Sequence, residues 1–223
     1  MSLVFCTNNS RQTIAQYRDK LQRMGVDAED GEVLTSAIVT GETLAARGFG
    51  GSRAIVIGGE GLRESLAAAD VDIDDDPLAG SADVVVVGFD TSFTYDAMRR
   101  AALALRGGAA FVATNVDATF PAAGGALWPG AGAIVASLVT ASGRHPEVMG
   151  KPHPPMMDAA ARRLGDARDI AIVGDRPDTD LSGGAAKGWR TILVLSGVTS
   201  SSDVSSVRPR PDIVLESLAD LSF

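Results

Sequence analysis

Apolar and polar positions change rhythm several times along the chain, and each change predicts an element. Residues 3–6, 54–57, 82–87, 109–113, 170–173, 191–195 and 212–215 are short apolar runs of strand length. The run 82–87 is continuous rather than alternating, the pattern of a strand covered on both faces. Between these runs lie stretches of helical spacing. Ile14, Tyr17, Leu21 and Met24 recur at helical intervals, predicting a helix over 12–24 with Ser10 as N-cap and Gly25 as its stop. Further helices are expected over 35–47, 61–69, 94–106, 130–141, 154–164 and 179–187, with Thr94 as a cap and Pro154 at a first helical turn. Residues 48–52 (Gly-Phe-Gly-Gly-Ser) read as a hinge, 70–76 as an acidic loop and 200–210 as a Ser/Pro-rich loop. Strands alternating with helices predict an α/β fold with a parallel sheet and right-handed crossovers.

Composition narrows the function classes. At 223 residues the chain can bury a good core, and its 45% hydrophobic and 22% charged content is that of an ordinary globular protein. A formal charge of −8 argues against nucleic acid or an anionic membrane as main partner. The single cysteine, Cys6, cannot form an internal disulfide. No apolar run approaches the roughly 18 residues of a spanning helix, and no basic-then-apolar leader opens the chain. A cytoplasmic protein is expected. His145 and His153 both neighbour prolines without a partner at metal-ligand spacing and read as structural or solvated, and Trp128 reads as a packing residue.

Candidate chemistry gathers at the ends of two apolar runs. Ile170–Val173 is followed by Gly174 and then by Asp175 and Asp180, and sites in α/β sheets lie beyond the carboxyl ends of buried strands. A hard cation such as Mg²⁺ suits carboxylates placed there, because it binds through one or two of them plus a substrate phosphate. Lys151, stiffened by Pro152, offers a compact charge for a phosphate oxygen. After residues 3–6 come Thr7-Asn8-Asn9-Ser10, whose hydroxyl, amide and N–H donors at the start of a helix make an anion site. Asp178 reads as a cap or a solvated charge.

These pieces, in this order, resemble the haloacid dehalogenase (HAD) superfamily, and within it the p-nitrophenyl phosphate/phosphoglycolate-type (NagD-like) branch. Thr7-Asn8-Asn9-Ser10 is similar to that branch's second motif, Lys151 to its third, and Gly174-Asp-Arg-Pro-Asp-Thr-Asp180 to its fourth. The cap loop 113–121 and Pro129-Gly-Ala-Gly132 also match. The resemblance implies a Rossmann-like parallel-sheet core with an inserted α/β cap. Divided by motif, residues 1–52 are the first core segment, 53–142 the cap and 143–223 the second core segment. It also implies a Mg²⁺-dependent phosphatase of small phosphorylated metabolites. Thr7, Asn8 and Lys151 would hold phosphate, Asp175 the metal, Asp180 would orient Lys151 or a metal-bound water, and Asn115 and Asp117 on the cap loop would help select substrates.

The family's first motif, Asp-x-Asp-Gly, supplies nucleophile and general acid/base, and the 223 residues contain no such tetrad. The resemblance places its strand at the centre of the core sheet, between the strands ending at Thr7 and Gly174. Little or no turnover is therefore expected from this chain alone. The two edges are expected to pair directly or to take a strand from a neighbour, by strand exchange or in a homo-oligomer. Two other readings stay open: a non-catalytic phosphate- or metal-binding module, and half of a split phosphatase.

Overall fold

A computed structural model describes residues 2–74 and 81–221. Contacts divide the chain into two compact units, Val4–Gly150 and a second built on Lys151–Phe223 with the first three residues.

In Val4–Gly150, β1 (Phe5–Thr7) runs parallel to β2 (Val33–Thr35), joined through α1 (Ile14–Arg23). After α2 (Ser36–Ala46) the chain lays down β3 (Arg53–Ile57), α3 (Glu60–Ala68), β4 (Asp72–Ile73), β5 (Val84–Val87), α4 (Tyr95–Arg106) and β6 (Ala110–Ala113). An antiparallel hairpin of β7 (Thr119–Pro121) and β8 (Leu127–Pro129) follows, then α5 (Ala131–Ser142) and β9 (Glu147–Val148). The five-stranded sheet has the order β4-β3-β5-β6-β9 and is parallel throughout. Val84 to Val87 are all fully buried, as the unbroken apolar run requires. Ile55, Val85 and Phe111 pack with Leu105 of α4 and Leu138 of α5, and each such side chain contributes roughly 1.5–3 kcal/mol by leaving water.

The second unit carries α6 (Pro154–Leu164), β10 (Ala171–Gly174), α7 (Ser182–Ala186), β11 (Arg190–Val194) and β12 (Ile213–Leu215). Its sheet is parallel, in the order β10-β11-β12. The helix expected from residue 179 begins instead as a π-type turn over Pro177–Leu181 and becomes regular only at Ser182. That turn buries Asp180 and Leu181.

Several expectations are corrected. The first helix starts at Ile14, capped by Thr13, whose Oγ1 accepts from the Gln16 N–H at 3.2 Å while Gln16 Oε1 accepts from the Thr13 N–H at 3.1 Å. Ser10 is not its cap; it is fully buried, and its Oγ accepts from Thr114 Oγ1 at 3.0 Å. Three-residue strands such as β2, β7 and β8 are too short to announce themselves by period, and each forms because a partner strand is at hand. Within the acidic stretch, Asp72–Ile73 pairs with β3; Asp75 and Asp76 lie outside the described residues. Trp128 is 51% exposed on β8 rather than packed.

Division by contacts also runs differently from division by motif at 52 and 142. Helix α2 packs on α3, and β9 hydrogen-bonds to β6, so residues 4–52 and 143–150 join the five-stranded sheet's unit.

Among the described residues, β1 shares a sheet only with β2, and β10 lies at the edge of its own sheet beside β11.

Arg47, at the end of α2, forks onto both oxygens of Glu147 on β9, with Nη2 2.7 Å from Oε1. The guanidinium hydrogen bonds hold the Glu147 carboxyl below its ordinary value of 4.5, outweighing partial burial. A depressed folded pKa stabilises above the unfolded value, and that contribution is lost as pH falls through the folded one. Glu147→Gln is thus expected to flatten the acid limb of a melting-temperature profile below about pH 4.5. An unchanged limb would show that solvent screens the pair.

Candidate active site

Strand β10 stops at Gly174 and delivers Asp175 beyond its carboxyl end. One Asp175 oxygen, Oδ2, accepts the Val198 N–H at 2.8 Å, and its carbonyl accepts Thr199 Oγ1 at 2.7 Å. A Cβ at position 197 would lie 2.1 Å from that Oδ2, so only glycine lets the loop close on the carboxylate. Among the described residues, Asp175 Oδ1 takes no hydrogen bond. Asp175 is thereby held in orientation with one hard oxygen in reserve.

The π-type turn brings Asp180 back under the same strand end. Its Oδ2 accepts the Arg176 N–H at 3.1 Å, and its Oδ1 lies 2.7 Å from Lys151 Nζ. The two side chains are only 13% and 7% exposed, so this is a buried pair whose charges need each other. Gly174 is as constrained as Gly197: a Cβ there would meet the Asp180 carboxylate at 2.3 Å. Asp178, by contrast, is an exposed charge near Arg176.

Thr7, Asn8, Asn115 and Asp117 gather in the other unit. Thr7 Oγ1, at the end of β1, accepts the Asn9 N–H at 3.2 Å and lies 3.4 Å from the Tyr17 hydroxyl. Burial pushes the Tyr17 phenol up, with partly offsetting hydrogen bonds to Thr7 and Asn9. The Asn8 carbonyl accepts from Ser36 Oγ at 2.7 Å and from Asn115 Nδ2 at 2.8 Å. Asn8 Nδ2 donates to both oxygens of Asp117, at 3.2 and 3.3 Å. Asn115 is 4% exposed, and its Oδ1 accepts the Asp117 N–H at 3.1 Å. Its amide is taken up by the Asn8 carbonyl and by its own loop, which leaves the half-buried Asp117 as the more accessible of the two cap-loop residues.

Since α1 begins at Ile14, Thr7-Ser10 is a hydrogen-bonded loop and not a helix N-terminus, and its donors are placed by neighbours rather than by a helix. Ser36 and Tyr17 went unnoticed in the sequence, where one follows a helix cap and the other sits in an amphipathic stripe. Among the described residues no group of three or more His, Cys, Asp or Glu side chains gathers to hold a metal.

Two family comparisons bracket this chain: a haloacid dehalogenase-like hydrolase family matches residues 1–72, and a HAD-hydrolase-like family matches 148–221. An acid sugar phosphatase of Staphylococcus aureus is 38% identical over 209 residues, 93% of this chain and 79% of the relative. This chain belongs to the haloacid dehalogenase-like hydrolases. Among solved members, a p-nitrophenyl phosphatase from Archaeoglobus fulgidus superposes with a TM-score of 0.88 at 34% identity, over 98% of this chain and 84% of that one. A glycerol phosphate phosphatase from Mycobacterium tuberculosis, solved with magnesium, gives 0.86 at 37% identity over 96% of this chain and 65% of that one. The HAD-like fold and the p-nitrophenyl phosphatase branch are thus shared, and the chain is a phosphatase of that family.

Proposed function

We propose that these residues form the phosphate- and metal-holding portion of a Mg²⁺-dependent phosphatase acting on small phosphorylated metabolites in the cytoplasm. The observation that carries this reading is the buried Lys151–Asp180 pair at the end of the strand that orients Asp175. Asp180 fixes the ammonium of Lys151, which would hold a phosphate oxygen as a point charge. Thr7 and Asn8 would supply uncharged donors to phosphate. Asp175 suits Mg²⁺ through its free Oδ1, a single hard oxygen, with remaining ligands drawn from water and substrate. When bound, the ion would neutralise charge developing on the phosphoryl oxygens. Asp117, turned toward Asn8, is the residue of the cap loop left to sense the substrate.

Phosphoryl transfer in this scheme needs a carboxylate nucleophile from an Asp-x-Asp-Gly segment, which the 223 residues lack. These residues by themselves are expected to bind rather than turn over. The nucleophile would then come from a segment beyond these residues, in cis or from another chain.

Calorimetry of Mg²⁺ and inorganic phosphate tests the holding role. Phosphate affinity should rise with Mg²⁺ in the wild type, and Asp175→Ala should lose that dependence. Equal Mg²⁺ dependence in the variant would remove Asp175 from the metal site.

A further inference from the structure

We infer that Ser36 and Asn115 are positioning residues that set the Thr7 hydroxyl through a single clamped peptide group. The inference rests on Thr7 being a phosphate donor, as proposed above.

The Asn8 carbonyl has two acceptor lobes, and both are filled by side chains from separate elements. Ser36 Oγ, in the first turn of α2, donates at 2.7 Å, and Asn115 Nδ2, just beyond β6, donates at 2.8 Å. Both donors are buried, at 0% and 4% exposure, so water cannot substitute for either. The Asn8–Asn9 peptide is trans, since among the described residues the cis bonds are Lys151-Pro152 and Arg208-Pro209. In a planar trans peptide the N–H points opposite to the C=O. Fixing the Asn8 carbonyl therefore fixes the Asn9 N–H, and that N–H donates to Thr7 Oγ1 at 3.2 Å.

The consequence is a directed hydroxyl. Thr7 Oγ1 has one proton and two acceptor lobes. With one lobe held by Asn9, its rotor is restricted. The Tyr17 hydroxyl 3.4 Å away faces the remaining positions. Between them, Asn9 and Tyr17 leave the Thr7 hydroxyl few orientations in which to meet an anion. A hydroxyl aimed before binding loses less entropy when the anion arrives. Asn115 thus acts on the phosphate loop from behind rather than on the organic portion of the substrate.

The experiment measures two quantities in the full chain: amide hydrogen exchange over residues 7–10, and affinity for inorganic phosphate with Mg²⁺ present. Ser36→Ala deletes one donor. It should speed exchange of the Asn9 amide and weaken phosphate binding about three- to tenfold, with the melting temperature used to confirm folding. Asn115→Asp supplies the sharper readout. Ionised, it turns an acceptor toward the Asn8 carbonyl; protonated, it donates and restores the clamp. Burial and the neighbouring Asp117 carboxylate raise the pKa of the new acid. The ratio of wild-type to variant phosphate affinity should therefore fall toward one as pH is lowered, a change that a packing defect would not produce.

A pH-independent ratio, or unchanged Asn9 exchange in both variants, overturns the clamp while leaving phosphate binding intact. Faster exchange in a protein whose wild type binds no phosphate overturns the phosphate reading, and the positioning role with it.

Discussion

Supplied with Mg²⁺ and p-nitrophenyl phosphate, these 223 residues are expected to release phosphate no faster than buffer. Extending them at the N-terminus with an apolar strand ending in Asp-x-Asp-Gly should raise the rate by about 10⁴-fold or more, the scale on which removing a nucleophile costs a hydrolase. The reason is chemical rather than conformational. In the proposed scheme Lys151, Thr7 and a metal at Asp175 would stabilise charge, and charge stabilisation without a nucleophile leaves water to attack the phosphorus. The measurement is steady-state phosphate release by both proteins, with Asp175→Ala in each. Release by the unextended chain at ordinary enzyme rates, about 1–10³ s⁻¹, would sink the prediction. If that release vanished in Asp175→Ala, a carboxylate already in the chain would be the nucleophile.

Breaking the Lys151–Asp180 pair should produce the largest loss of stability of any single polar substitution considered. Both side chains are largely withdrawn from solvent, and removing one member of such a pair costs about 3–5 kcal/mol because a charge is left buried without its counter-ion. Asp180→Ala should be the worse of two single variants. It strips the counter-ion from Lys151, leaves the Arg176 N–H without its acceptor, and opens space against Gly174. Lys151→Met leaves Asp180 the Arg176 N–H and should cost less. The double variant Lys151→Met/Asp180→Leu, of similar volume and uncharged, should recover much of the loss. Urea unfolding followed by circular dichroism reads all three. Single-variant losses below about 1 kcal/mol would place the pair among solvent-screened ion pairs and weaken the case that Asp180 rigidifies Lys151.

Much of this was legible along the chain. The apolar runs at 82–87 and 170–173 hold the central strand β5 (Val84–Val87), fully buried, and the half-buried site strand β10; in β5, covered on both faces, there is no polar residue to place. The carboxylates after Gly174 were legible because chemistry at a parallel strand's carboxyl end appears in sequence as polar residues directly after an apolar run. The motif order Thr7–Ser10, Lys151 and Asp175–Asp180 sufficed to point to the family.

What needed the tertiary structure was every partnership across distance. No period in the sequence joins Ser36 and Asn115 to the carbonyl of Asn8, residues 28 and 107 positions apart from it. Nor does any reveal that Ser10 would forgo a helix cap for Thr114. The short strands β2, β4 and β9 have two or three residues each, too few to show a pattern, and exist only because a neighbouring edge offers hydrogen bonds. The π-type turn that buries Asp180 against Gly174 lay in a stretch that reads as ordinary helix. Local sequence determines which segments are strands and helices because burial acts on neighbouring side chains together. Which donor meets which acceptor is decided only on packing, because an unpaired buried polar group takes whichever partner the fold brings within reach.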